Sequence, residues 1–377
     1  MAKVPIKKKD VADLISASMS EKMDILNKFK QVNGIDNVKK KEQQWICLGK
    51  AFEEPTSIVG IPRNTVSCCK GHTNTGKSSL LYCLIAEEQR QGKLPVFFDL
   101  ENSVKWNHAR DIGVEVSETI DEATGEVILG PGENMLYFDS HVLYDKYKTY
   151  DHSQSKYTQK PTRDTYVIED VALCIREIIK QQRLDELPFD MTFFIDSIGC
   201  SDCYKAAVSS ASNAMWYAAA VSQCFMTIVN DLIPSTMNVN SKYNNTLFYI
   251  NKIWVEKTPG GLPMAQTRGG NSLQYVTRLS IFLGGQGGPS IKKHYFSYKG
   301  VDYAFASTVK IRIDKNHVSD IERSGEIAFT KYGSCAISDL EEYKVKYKKY
   351  LVETLKAKTG EDVSEKDLKE SEIIVDE

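Results

Sequence analysis

The chain has 377 residues, with 48 lysines and arginines against 50 aspartates and glutamates, a formal net charge of -2. A hydrophobic fraction of 42% supports a sizeable core, and no apolar run of about 18 residues reads as a membrane span. The near-neutral balance argues against bulk attraction to nucleic acid, so any such binding must rest on local charge.

The first ten residues are charged and lack an apolar signal-like stretch, which predicts a cytoplasmic protein. Nine cysteines are scattered along the chain, as free thiols of a reducing compartment would be. Cys200 and Cys203 are closely spaced, but no second pair with zinc-ligand spacing accompanies them.

Residues 1–57 are read as an N-terminal helical oligomerisation segment. Ser20–Phe29 has a cap-like Ser, then Met23, Leu26 and Phe29 at helical spacing. Lys39–Lys41 reads as a solvated face. A core is expected over 58–335. Thr65–Cys69 is a buried strand, and Ser79–Glu88 a helix. Between them Gly71-His72-Thr73-Asn74-Thr75-Gly76-Lys77-Ser78 fits G-x-x-x-x-G-K-[ST]. The glycines let the loop curl with its N–H groups inward, and the helix N-terminus adds its positive end. Such a loop, continued by Ser79, cradles nucleotide phosphates. Lys77 reaches the outer phosphates and Ser78 offers a hydroxyl to Mg²⁺, which makes ATP and Mg²⁺ the expected cofactors.

Leu94–Leu100 is a second buried strand, ending at Glu101. Residues 115–165 read as a surface insertion, with a hairpin over Asp121–Leu129 and a polar stretch after it. A helix over Ile168–Arg183 precedes the strand Met191–Ser197. Asp196, an acid at the C-terminal end of that apolar strand, is placed to hold Mg²⁺ through water. A helix over Asn213–Val229 and a strand over Thr246–Asn251 follow. Residues 253–271 are glycine- and proline-rich without apolar periodicity, a loop long enough to be functional. Strands near Val276–Leu283 and Thr308–Ile313 complete the sheet. Residues 336–377 are a helix over Leu340–Leu355 and an acidic tail. The tail, Glu361–Glu377, has eight acids against two lysines and reads as disordered and solubilising.

With these pieces in order the chain resembles the RecA family of strand-exchange recombinases, and is most similar to the phage branch typified by UvsX. Five stretches carry the resemblance: the phosphate loop, Phe97–Val114, Phe193–Ser197, Phe248–Lys252 running to Thr267–Asn271, and Val309–His317. It implies an α/β fold: a RecA-like P-loop ATPase core with a central, mostly parallel twisted sheet flanked by helices. It implies that Glu101 is the catalytic carboxylate, that Lys252 meets the γ-phosphate, and that His108 stacks on adenine. Lys315 would reach the ATP of a neighbouring subunit. The segment after Lys252 would be a DNA-binding loop, with Trp254, Lys257 and Arg268 supplying a stacking face and two cations. Gly269 and Gly270 would let that loop order on DNA. The first DNA loop of the family falls within Cys200–Asn213.

The chain departs from the family pattern at three of these places. Lys252 stands where the family has Gln, His108 where it has Tyr, and His317 where it has a second interface lysine. The implied function is a DNA-dependent ATPase that forms helical homo-oligomers on single-stranded DNA, pairs it with double-stranded DNA, and hydrolyses ATP to ADP and phosphate. A loading mediator and a single-strand binding protein are the further implied partners. The implied compartment is the cytoplasm, that of the host if the chain is phage-encoded. Two other readings share the motifs: a hexameric replicative helicase, and a recombinase paralogue that binds ATP and DNA without exchanging strands.

Overall fold

The computed structural model describes residues 19–32, 39–209, 214–257, 263–267, 271–285, 288–319 and 323–375. Its centre is one large sheet of twelve strands. In chain order they are β1 (Val66–Gly71), β2 (Leu94–Asp99), β3 (Leu136–Asp139), β4 (Met191–Asp196), β5 (Asn245–Lys257), β6 (Pro263–Thr267), β7 (Leu279–Leu283), β8 (Ile291–Tyr298), β9 (Val301–Asn316), β10 (Ser324–Thr330), β11 (Gly333–Cys335) and β12 (Lys369–Val375). Across the sheet the order is β11-β10-β9-β7-β1-β5-β4-β2-β3, with β6 on β5, β8 on β9 and β12 on β8.

Six adjacent strands, β7-β1-β5-β4-β2-β3, pair in parallel. Their runs are largely apolar because helices cover both faces. The period of two divides them cleanly. Val66, Cys68, Val96, Phe98, Phe193, Ile195, Leu247 and Tyr249 pack on one face, with helices Ile168–Arg183 and Ala214–Thr227. Cys69, Phe97, Phe194, Phe248 and Ile250 pack on the other, beneath helix α1 (Lys77–Arg90). Each face shields a full layer of aromatic and aliphatic side chains, at about 1.5–3 kcal/mol for each one fully buried.

Three parts differ from the sequence reading. The segment read as a surface insertion, 115–165, supplies a core strand. Leu136–Asp139 pairs with Leu94–Asp99, and Leu143 and Tyr147 behind it are fully buried. The surface part is the hairpin Val116–Ile120 with Val127–Pro131. Beyond β7 the sheet turns antiparallel, and Ile291–Tyr298, unforeseen in the sequence, pairs with β9. The acidic tail is ordered as far as Val375: Lys369–Val375 adds a strand to Ile291–Tyr298. With helix Leu340–Thr359 it closes a third core around Phe296, Phe305, Leu351, Leu355, Val363 and Leu368.

Candidate functional site

Parallel pairing brings four strand ends to one edge of the sheet. Asp196 lies opposite Asp99, and Lys252 opposite Gly71. The phosphate loop leaves β1 at Gly71 and enters α1 at Gly76, whose φ of 89° is the left-handed conformation glycine permits. The result is a cleft of about 400 Å³. The loop residues Thr73, Asn74, Gly76, Lys77, Ser78 and Ser79 line one wall, and Glu101, His108, Asp196 and Lys252 stand among those that line the rest.

Each predicted group has a defined partner. Ser78 Oγ donates to Asp196 Oδ2 at 2.8 Å. Ser79 Oγ and His108 Nε2 are 3.0 Å apart. Lys77 is buried, and its ammonium donates to the His72 carbonyl, as the Thr75 hydroxyl does at 2.8 Å. Glu101 accepts from Lys252 Nζ at 2.5 Å, Ser197 Oγ at 2.6 Å and Cys200 Sγ at 3.2 Å.

These surroundings set the protonation states. Burial pushes the Asp196 carboxyl up to about 6, helped by the nearby charges of Glu101 and Asp99 and opposed by the Ser78 hydrogen bond. Burial also raises Glu101, but the hydrogen bonds from Lys252, Ser197 and Cys200 outweigh it and hold the carboxyl below its usual value. Burial lowers Lys252, and its bond to Glu101 more than restores it. Burial lowers Lys77, and also His108, which leaves a neutral ring able to stack.

The donor set fits a magnesium nucleotide. Ser78 Oγ and the Asp196 carboxylate are hard oxygen donors side by side, as Mg²⁺ requires. The loop is built for close approach: a Cβ on Gly71 would stand 2.2 Å from the Leu283 carbonyl oxygen. A second cavity, of about 380 Å³, shares Asn74, Gly76, Ser79 and His108 with the cleft and is bedded on Phe305, Val309 and Phe329. A flat apolar ring fits that chemistry beside the phosphate loop.

Some predicted residues lie elsewhere. Lys315 does not line the cleft; its ammonium donates to the Gln274 and Tyr275 carbonyls at 2.8 and 2.7 Å. Trp254 and Lys257 belong to β5, whose end forms an antiparallel hairpin with β6. The loop expected there is, in its described part, a pair of strands. Arg268, Gly269 and Gly270 lie outside the described residues. Tyr82, Ser103 and Lys105 also line the cleft and were not foreseen, nor were Ser197 and Cys200 beside Glu101. Ser197 carried a signal, since it directly follows Asp196; Tyr82 sits one helical turn past Ser78 on α1.

No family model matches the chain. Comparison with curated proteins finds similarity to several named Protein RecA. That of Oleidesulfovibrio alaskensis is 39% identical over 63 residues, 17% of this chain and 18% of that protein. That of Mesoplasma florum is 34% identical over 69 residues, 18% and 21% of the two chains. That of Aquifex aeolicus is 31% identical over 83 residues, 22% and 24%. Over such a stretch this chain is RecA-like. The chain spans about a fifth of the length of the curated relatives it matches. The fold, α/β with a mostly parallel central sheet flanked by helices, fits a RecA-like core.

Proposed function

We propose that this chain is a DNA-dependent ATPase that polymerises on single-stranded DNA and promotes homologous pairing and strand exchange, as a member of the phage branch of RecA-like proteins. One observation carries the reading. Glu101, two residues past the end of β2, is bonded to Lys252, and Lys252 lies on the strand that runs on into the β5–β6 hairpin. In this reading the carboxylate that would activate water shares one side-chain contact with the strand leading to the hairpin that would meet DNA.

The chain's residues divide the work. The backbone of Gly71–Ser79 and the Lys77 ammonium would bind and orient the phosphates. Ser78 and Asp196 would hold Mg²⁺, and bound magnesium supplies charge neutralisation at the phosphoryl group. Glu101, ionised at neutral pH, would accept the proton of the attacking water. His108 and the bed of Phe305, Val309 and Phe329 would take the adenine ring. Helix Met19–Val32 has no buried residue, and its Met23, Leu26 and Phe29 are exposed, which suits docking on a neighbouring copy.

The Lys252 ammonium also favours a second reading, the paralogue that binds ATP and DNA without exchanging strands. It pins Glu101 as a charge, where the family's amide would only hydrogen-bond. Negative-stain microscopy on circular single-stranded DNA with a slowly hydrolysed ATP analogue tests the proposal, followed by a strand-exchange assay. Coated helical filaments that exchange strands support it. Discrete six-membered rings favour the helicase and sink it, and filaments without exchange favour the paralogue. In the same assays Glu101→Gln retains ATP binding and leaves filaments that fail to turn over; intact turnover would remove Glu101 from the chemistry.

A further inference from the structure

The opposite edge of the sheet carries a second cationic site. A cavity of about 640 Å³ there is lined by Lys40, Arg278 and His317, with Asn64, Asn230 and Tyr275 among its polar walls and no carboxylate among the described residues. Arg278 is anchored by its backbone: its N–H donates to the Val66 carbonyl at 2.8 Å, and its carbonyl accepts from the His317 N–H at 2.8 Å. Lys315 lies close by, opposite Ser280 in the β7–β9 pairing. The Arg278 side chain is exposed, and no hydrogen bond or ion pair engages its guanidinium among the described residues. Burial lowers the Lys315 ammonium, and the like charge of Arg278 lowers it further. Among the described residues these cations line the cavity without an anion and repel one another, so their placement suits an anion brought by another molecule.

The register shows which molecule can bring it. Leu279 pairs with Ser67 and Leu283 with Gly71, so Arg278 flanks the start of β1 while the phosphate loop leaves its end. Six strand residues separate the two by about 17 Å. Arg278 therefore cannot touch a nucleotide held by its own loop. Stacking the start edge of one copy on the end edge of the next brings them together, and that head-to-tail contact is the kind that extends into a helix.

We propose that Arg278, beside Lys315, binds the phosphates of a nucleotide held in the Gly71–Ser78 loop of a second copy of this chain. The inference rests on the ATP-dependent polymer proposed above and adds a residue to it. A guanidinium is always charged, and its paired donors match phosphate oxygens in a way that neither imidazole nor ammonium can. Arg278 then supplies the trans cation at the place where the chain carries His317.

The test is DNA-stimulated ATP turnover by the full chain. Arg278→Ala lowers kcat by roughly tenfold or more, with little change in ATP affinity, and Arg278→Lys falls between it and the parent. Mixing separates a trans contact from simple misfolding. Lys77→Ala lacks a working loop but keeps Arg278, so adding it to Arg278→Ala restores turnover that neither variant has alone. Turnover by Arg278→Ala within twofold of the parent overturns the inference, as does a mixture no more active than its parts. If Lys77→Ala alone keeps full turnover, the nucleotide reading itself fails instead.

Discussion

Lys252 Nζ lies 2.5 Å from Oε2 of Glu101, across 151 positions of sequence. The contact bridges the ends of β5 and β2, on either side of β4, and keeps the half-buried carboxylate ionised. Lys252→Met removes the cation and leaves burial opposed only by Ser197 and Cys200. The Glu101 pKa then rises. A general base must be ionised, so the acid limb of the pH–rate profile for ATP turnover moves to higher pH. Lys252 is partly exposed and therefore screened, so the shift is smaller than a fully buried pair would give. An acid limb that stays fixed would show that this pair does not control Glu101.

Asp196 gives a second pH dependence, of opposite sign. Its folded value of about 6 lies above the ordinary 3.8. Between those values the native state binds a proton that the unfolded chain does not, and above pH 6 it bears the cost of a buried charge. Stability of the metal-free protein therefore falls as pH rises from about 4 to about 6. Asp196→Asn removes the charge and stabilises the chelator-treated protein at pH 7.5 by up to about 3 kcal/mol. Magnesium nucleotide then raises the melting temperature of the parent and not of the variant. A destabilised variant at pH 7.5, without metal, would contradict this account.

Gly71→Ala probes the loop sterically. The added Cβ would meet the Leu283 carbonyl oxygen at 2.2 Å. That oxygen belongs to a paired strand and cannot swing aside. The expected cost is about 1–3 kcal/mol or more, with a loss of nucleotide affinity because the loop begins at this residue. Gly92→Ala is the control: nothing lies within 4 Å of its Cβ, but its φ of 66° is left-handed. Its cost is about 1 kcal/mol, with affinity unchanged. Chemical denaturation and nucleotide titration of both variants measure the difference.

The parallel half of the molecule was legible because its signals are local. The glycine loop, the apolar run ending at Asp196 and the run ending at Glu101 each announce themselves within ten residues. The partners of Glu101 were not legible, since Cys200 and Lys252 reach it only through the order of strands. The antiparallel half was hidden for another reason. Lys369–Val375 carries acids that read as a solvated tail, but in the fold they have partners: Glu372 meets the Lys292 ammonium at 2.6 Å and the His294 ring at 3.0 Å, and Glu370 meets Lys344 of the helix at 2.8 Å. Charge along one strand takes on structural meaning only when the opposing strand is known.

Truncation after Gly360 turns that difference into a measurement. A solvated tail would leave the melting temperature unchanged. In the structure Val363 is 1% exposed and Leu368 is 6% exposed, both packed with Phe296, Leu351 and Leu355. Removing two buried aliphatic side chains costs about 3–6 kcal/mol as an upper bound. The exposed ion pairs add less than about 1 kcal/mol each. The loss falls on the antiparallel half, while the cleft lies at the ends of β1, β2, β4 and β5. Turnover per folded molecule at 25 °C and saturating ATP is therefore expected to persist, with ATP affinity loosened through Phe305, which the third core shares with the second cavity, while thermal unfolding moves several degrees lower. The bared edge of β8 becomes prone to pairing with other chains, so light scattering should rise at the new transition. A truncated chain that melts with the parent would mean that the third core contributes nothing to stability.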